Sequence, residues 1–146
     1  MIAYLDSSVL VRAYLPDEDG YEAAVALLSE RDAAIFTGTW TRVEVAGALV
    51  RAARVGRGSE HGLLLALGAD LGPGGPVTVV QAPQADVELR ALELVCEHGL
   101  RAMDAWHLAV AQLVMPSLAT KGEAVGFASR DARQSEIAEQ LGFLRV

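Results

Sequence analysis

Met1-Ile2-Ala3-Tyr4-Leu5-Asp6-Ser7-Ser8 is an apolar run that stops on a carboxylate and then turns polar. A strand buried on both faces reads as a near-continuous apolar run, and ligands of open parallel sheets collect just beyond the C-terminal ends of the strands. Residues 1–8 therefore predict a first, central strand with Asp6 at its carboxyl end, where chemistry is expected. The structural alternative for Asp6 is to help Ser7 or Ser8 cap the helix that follows.

Working outward, Val9, Leu10, Ala13 and Tyr14 form the inward face of a short helix stopped at Pro16, and Asp17, Glu18 and Asp19 form a solvated acidic corner. Residues 20–30 predict a second helix, 33–38 a second strand, and 39–53 a helix with Val43, Ala46, Leu49 and Val50 on its apolar face. Glu44 opens that helix, where Thr41 and Glu44 also fit a capping box. Arg51, Arg54 and Arg57 recur at three-residue spacing and are read as a solvated face. A Leu-rich helix over 59–71 and a rigid Gly-Pro-Gly-Gly-Pro turn at 72–76 precede a third strand, Val77 to Val80. No helix follows that turn directly and no Lys accompanies it, so it is not a phosphate loop. Residues 84–98 form a helix closed by Gly99, and 100–115 the most apolar helix of the chain. The segment 116–123 reads as a loop, 124–129 as a fourth strand, 132–141 as the last helix, and 143–146 as an edge strand. Strands alternating with helices imply right-handed crossovers and a parallel sheet.

The chain has 146 residues, enough for one domain that buries roughly two thirds of its unfolded surface without staples. Its 52% hydrophobic content with only 5% aromatics suits aliphatic α/β layers. The single cysteine, Cys96, has no partner for a disulfide or a Cys metal site and is assigned to helix packing. No basic leader precedes the first apolar run and no stretch reaches the ~18 apolar residues of a bilayer span, so a soluble, cytoplasmic protein is expected. A net charge of −7 argues against general gripping of nucleic acid by a basic surface. That objection weakens if clustered acids hold divalent cations.

Two further carboxylates stand in places like that of Asp6, and a third stands in the middle of a helix. Glu44 and Asp131 follow strands directly, each with a capping role as its alternative. Asp104 lies in the apolar helix, in the row Leu100, Asp104, Leu108, where an unpaired carboxylate is costly; its alternative is a surface pair with Arg101. His107, one turn on, is either a donor to one of these acids or a core histidine. If all four acids converge, each close pair repels by about 4 kcal/mol at 4 Å and an effective dielectric of 20. Cations or shifted protonation must then compensate. Hard oxygen ligands without Cys or paired His select Mg²⁺ or Mn²⁺ over Zn²⁺.

Tyr-Leu-Asp-Ser-Ser-Val-Leu-Val at 4–11, Thr-Arg-Val-Glu-Val around Glu44, Leu-Arg-Ala-Met-Asp-Ala-Trp-His-Leu-Ala around Asp104 and Phe-Ala-Ser-Arg-Asp ending at Asp131 resemble the PIN-domain ribonucleases. The length and order are similar to the VapC toxins of toxin–antitoxin pairs. The resemblance covers essentially the whole chain and rests on the ordered set of acids rather than on any single motif. It implies an α/β/α sandwich around a mostly parallel sheet of four to five strands. It also implies an acidic metal-binding quartet of Asp6, Glu44, Asp104 and Asp131, with Ser129 orienting a water or substrate oxygen. Metal-dependent RNA cleavage, a homodimer and a VapB-like antitoxin partner follow from the same resemblance. Arg130 and Arg133 are candidates for holding substrate phosphates, with ion pairing to the quartet as the alternative. Arg12 stands where many relatives carry Lys.

Haloacid-dehalogenase-type phosphatases also end a first strand on Asp but need a second Asp two residues on, where Ser8 stands. Receiver domains need an Asp after the third strand, where Gln81, Ala82 and Pro83 follow Val80. Flap-endonuclease relatives need helical elements for which there is no room. The remaining alternative is a PIN-like module that binds RNA or an antitoxin without turnover.

Overall fold

The computed structural model describes residues 1–30 and 32–146. Five strands, β1 (Ile2–Leu5), β2 (Ala34–Gly38), β3 (Val77–Val80), β4 (Val125–Ala128) and β5 (Leu144–Arg145), form one sheet in the order β3-β2-β1-β4-β5. Every pairing is parallel, with Ile2 opposite both Ala34 and Val125. The helices are α1 (Ser7–Tyr14), α2 (Tyr21–Ser29), α3 (Thr41–Arg54), α4 (Glu60–Asp70), α5 (Gln84–His98), α6 (Ala102–Leu118) and α7 (Ala132–Gln140).

Central β1 explains its own composition. Successive side chains point to opposite faces, and both faces are covered. Ile2 and Tyr4 join Leu94, Leu108, Met115 and Phe127 in the core beneath α5, α6 and α7. Ala3 and Leu5 join Leu10, Val45, Leu49 and Leu67 in the core beneath α1, α2, α3 and α4. This is the expected α/β/α sandwich, with a sheet that is wholly parallel. Each large aliphatic or aromatic side chain buried in these layers contributes about 1.5–3 kcal/mol before entropy is counted.

The connections after β1, β2 and β4 are held by side chains at the carboxyl ends of the strands. Thr37 Oγ1 donates to the Leu5 carbonyl at 2.7 Å and meets Thr41 Oγ1 at 2.7 Å, tying the first turn of α3 to the end of β1. Gly38 ends β2 because nothing larger fits: a Cβ there would lie 2.6 Å from the Trp106 ring and 2.7 Å from the Tyr4 hydroxyl.

Some local expectations are corrected. The buried row of α3 is Thr41, Val45, Leu49 and Ala52, while Val43 is 61% exposed. Anchoring of Thr41 by Thr37 fixes the rotation of the helix, a constraint that hydrophobic periodicity does not contain. The capping box is absent: Trp40 precedes the helix without a side-chain cap bond, and the Glu44 carboxylate bonds elsewhere. Helix α6 continues through Pro116, since a proline near the C-terminal end forfeits its own N–H but keeps a helical φ. Cys96 is exposed rather than packed, because it sits about 200° around α5 from buried Leu94. The acidic corner is not left to solvent alone: Arg57 pairs with Asp17 at 2.7 Å and with Glu18 at 2.8 Å.

Candidate active site

All four expected acids fall at the N-cap or in the first turn of a helix, where the positive end of the helix dipole and free N–H groups favour a carboxylate. Asp6 caps α1 and Asp131 caps α7, so their structural alternatives hold in part; Glu44 lies in the first turn of α3, and Asp104 lies in the first turn of α6 rather than in its middle, because that helix starts at Ala102 and not at Leu100. Capping fixes each carboxylate in place without excluding a second task.

Asp6 is 4% exposed and both its oxygens are engaged. Oδ1 accepts from the Ser8 amide at 2.9 Å, the Val9 amide at 3.2 Å and the Ser8 hydroxyl at 2.5 Å. Oδ2 lies 2.9 Å from the Ser129 hydroxyl, which also reaches Gln134 Oε1 at 2.5 Å and accepts from the Asp131 amide at 2.9 Å. Having one proton, Ser129 donates to one of its two acceptors at a time. It thereby links the acid after β1 to the segment that carries the acid after β4.

Glu44 is bound through a single oxygen. Its Oε2 accepts from the Ser7 hydroxyl at 2.6 Å and lies 2.7 Å from Nε2 of His107. His107 is buried, and its Nδ1 lies 2.9 Å from the hydroxyl of fully buried Tyr4. The Glu44 carboxylate can only accept, so Nε2 of His107 donates to it, while Nδ1 faces the Tyr4 hydroxyl. Burial pushes the Glu44 pKa up, but the hydrogen bonds from His107 and Ser7 outweigh it and hold the carboxyl below the usual glutamate range. His107 thus proves to be a donor to one of the acids. Its place one turn after Asp104 was legible; its partner was not.

Asp104 and Asp131 are joined by Arg101, whose Nε lies 3.3 Å from Asp104 and whose Nη2 lies 2.9 Å from Asp131. The expected Arg101–Asp104 surface pair exists, and its reach to Asp131 brings the start of α6 to the carboxyl end of β4. Burial raises the Asp104 pKa, helped by the charges of Asp131 and Asp6, and Arg101 only partly offsets this. Asp131 goes the other way: the Gln134 amide first, and Arg101 next, lower its pKa. Neither Arg130 nor Arg133 pairs with the quartet. Arg130 holds Glu18 at 2.7 Å, and Arg133 reaches Glu136 and the His98 carbonyl at 3.5 Å.

The donor chemistry of this edge is carboxylate and hydroxyl oxygen, the set that suits a hard divalent cation. Among the described residues, no three His, Cys, Asp or Glu side chains form a ready ligand cluster. The cation bridging two of the acids is the Arg101 guanidinium.

The profile of the PIN domain matches residues 3–140, and the chain belongs to the PIN-domain family. No curated protein matches it in sequence. Among solved structures it is similar to VapC20 of Mycobacterium tuberculosis, a sarcin-ricin loop cleaving toxin, at 20% identity and a TM-score of 0.67 over 99% of this chain and 98% of that one. It is also similar to a toxin–antitoxin complex from Klebsiella pneumoniae, at 21% identity and a TM-score of 0.57, covering 90% of this chain and 88% of that one. A third likeness is to VapBC2 of Rickettsia felis, solved with a promoter DNA fragment, at 12% identity and a TM-score of 0.62, covering 100% and 98% of the two chains. At these identities the structural likeness speaks for the fold.

Proposed function

We propose that this PIN domain is a divalent-metal-dependent endoribonuclease and the toxin of a toxin–antitoxin pair. The observation that carries the reading is the linkage of Asp6, Ser129, Asp131, Arg101 and Asp104 at one edge of the sheet. Glu44 enters the same edge beside them, through Ser7. Asp6, Glu44, Asp104 and Asp131 would hold Mg²⁺ or Mn²⁺, and the ion would supply an activated water and charge stabilisation for phosphodiester hydrolysis. The chain's own residues divide the remaining work. Asp6 is immobilised by four donors and keeps its charge in place. Glu44 has its Oε2 committed to His107 and Ser7, which aims the carboxylate. Glu44 or Asp131 would position the attacking water, and Asp104, held beside Asp131 by Arg101, would complete the ligand set. Ser129 orients an oxygen beside Asp6.

The named toxin–antitoxin assemblies among the structural neighbours support a VapB-like antitoxin as partner. Exposed Val43 on α3 and Leu89 and Leu92 on α5 supply apolar surface of the kind a homodimer or partner covers. Among the described residues, no helix is long and apolar enough to cross a membrane. Arg101 lying across Asp104 and Asp131 favours one other reading, a PIN module that binds without cleaving.

Incubating the purified protein with end-labelled total RNA, with Mn²⁺ or Mg²⁺ and with EDTA, separates the two. Discrete metal-dependent fragments are expected, and Asp6→Asn or Asp104→Asn should remove them while circular dichroism stays native. Full activity in either variant would sink the assignment. A folded wild type that cleaves nothing with metal present would favour the binding module.

A further inference from the structure

Arg12 is the cation that the site description leaves unused. Its Nε is buried without a hydrogen-bond partner, and among the described residues no carboxylate pairs with the guanidinium. Glu18, Asp19 and Asp6 are near enough to act on it electrostatically, yet Glu18 is engaged by Arg57 and Arg130. A guanidinium whose Nε is buried and unpaired is poorly solvated, and an anion meeting its remaining N–H groups would offset part of that cost.

The guanidinium also has somewhere to receive one. It lines a cavity of about 460 Å³ between α1, α2 and the ends of β4 and β5, with Ala23, Ala26 and Leu27 on the wall and Met1, Glu30, Ser129 and Val146 among its other lining residues. That volume falls within the roughly 300–1,000 Å³ of small-ligand pockets. Ser129, one of its lining residues, contacts Asp6, so the cavity adjoins the acidic edge through that side chain. Gly20, at φ +84°, passes so close that a Cβ would sit 2.8 Å from Nη1 of Arg12, so the turn before α2 keeps the guanidinium where it is. Arg130 adds positive charge close by, and desolvation together with that charge lowers the Arg12 pKa.

We propose that Arg12 and this cavity form a nucleotide subsite beside the acidic edge, with Arg12 holding a phosphate that flanks the cleaved bond and the alanine wall taking the adjoining nucleoside. The subsite rests on the reading of RNA as substrate. Arginine suits the task through its planar, multiply donating guanidinium, and Glu30 can accept from a ribose hydroxyl or a base amino group.

The test uses the full chain in an Asp104→Asn background with Mn²⁺, reading fluorescence anisotropy of a labelled single-stranded RNA across a range of salt. Adding Arg12→Ala is expected to weaken binding roughly tenfold and to flatten the salt dependence by about one phosphate contact. Arg12→Lys should retain the salt slope. Ala26→Leu, which narrows the cavity from an exposed position and leaves Arg12 in place, should weaken binding without changing that slope and covers the case in which Arg12→Ala does not fold. Arg145→Ala, on the exposed edge strand, should bind as the background does. Unchanged affinity and slope in Arg12→Ala, or in Ala26→Leu if Arg12→Ala is unfolded, would overturn the subsite even where wild-type protein cleaves RNA. A wild type that neither binds nor cleaves RNA removes the parent reading and the subsite together.

Discussion

The two halves of the acidic edge hold negative charge by different means. On the inner half, Asp6 and Glu44 are gripped by Ser7, Ser8, Ser129, His107 and two backbone amides, with His107 backed by Tyr4 in the core. On the outer half, Asp104 and Asp131 share Arg101, whose side chain is 82% exposed. His107, buried between Tyr4 and Glu44, cannot leave without stranding a polar group, and the serines beside it are partly buried, whereas an exposed guanidinium exchanges its partners for water at little cost. The inner half is therefore built to be rigid and the outer half to be exchangeable. An edge that must admit a cation and a phosphate needs both.

The largest effect should come from cutting the inner half at its root. His107→Ala strands Tyr4 and Glu44 and leaves a cavity, and should cost about 2–4 kcal/mol in urea unfolding. His107→Gln, which still offers a donor to Glu44, should recover part of that. A loss below 1 kcal/mol in His107→Ala would show that the buried chain contributes little and would erase the contrast.

Arg101→Ala is the matching cut on the outer half. It should cost less than about 1 kcal/mol, with the wild-type contribution shrinking as salt is raised. The same substitution should move the Asp104 pKa further up, followed by carboxyl NMR titration, because Arg101 is the main group holding it down. An Asp104 titration that ignores the substitution would mean that Arg101 does not neutralise this half.

The smallest effects are opposite in sign. The Glu44 pKa is depressed on folding, so its carboxylate contributes stability above the ordinary glutamate range and loses it as pH falls through the depressed value. The Asp104 pKa is raised, so its contribution is present below the ordinary aspartate range and is lost as pH rises through the raised value. At neutral pH, Glu44→Gln should lower Tm and Asp104→Asn should leave it level or raise it. The gap between the two variants should narrow as the pH approaches 3. Parallel pH profiles would contradict the division of charge described here.

Much of this was readable before any fold was known. Leu5-Asp6 and Ser129-Arg130-Asp131 announce themselves because a parallel strand must end where its apolar run ends, and the residue after it must sit at the ligand edge. Val43 and Cys96 were misplaced for a related reason. Periodicity specifies that a helix has an inward face, but the rotation of α3 is set by the Thr37–Thr41 contact and that of α5 by its packing against α6.

The order of apolar runs, caps and turns by itself determined the alternation of strands and helices, the parallel sheet that alternation demands, and the helix starts at which Asp6, Glu44 and Asp131 stand. Only the tertiary structure decided that Asp104 stands in the first turn of α6, that Glu44 bonds to His107, that Arg101 spans Asp104 and Asp131, and that Arg12 Nε has no hydrogen-bond partner among the described residues. The reason is one of range. Local pattern fixes residues within a turn or two of one another, whereas Tyr4 and His107, 103 positions apart, meet at 2.9 Å only because two crossovers and the rotation of α6 agree to within a fraction of a side chain.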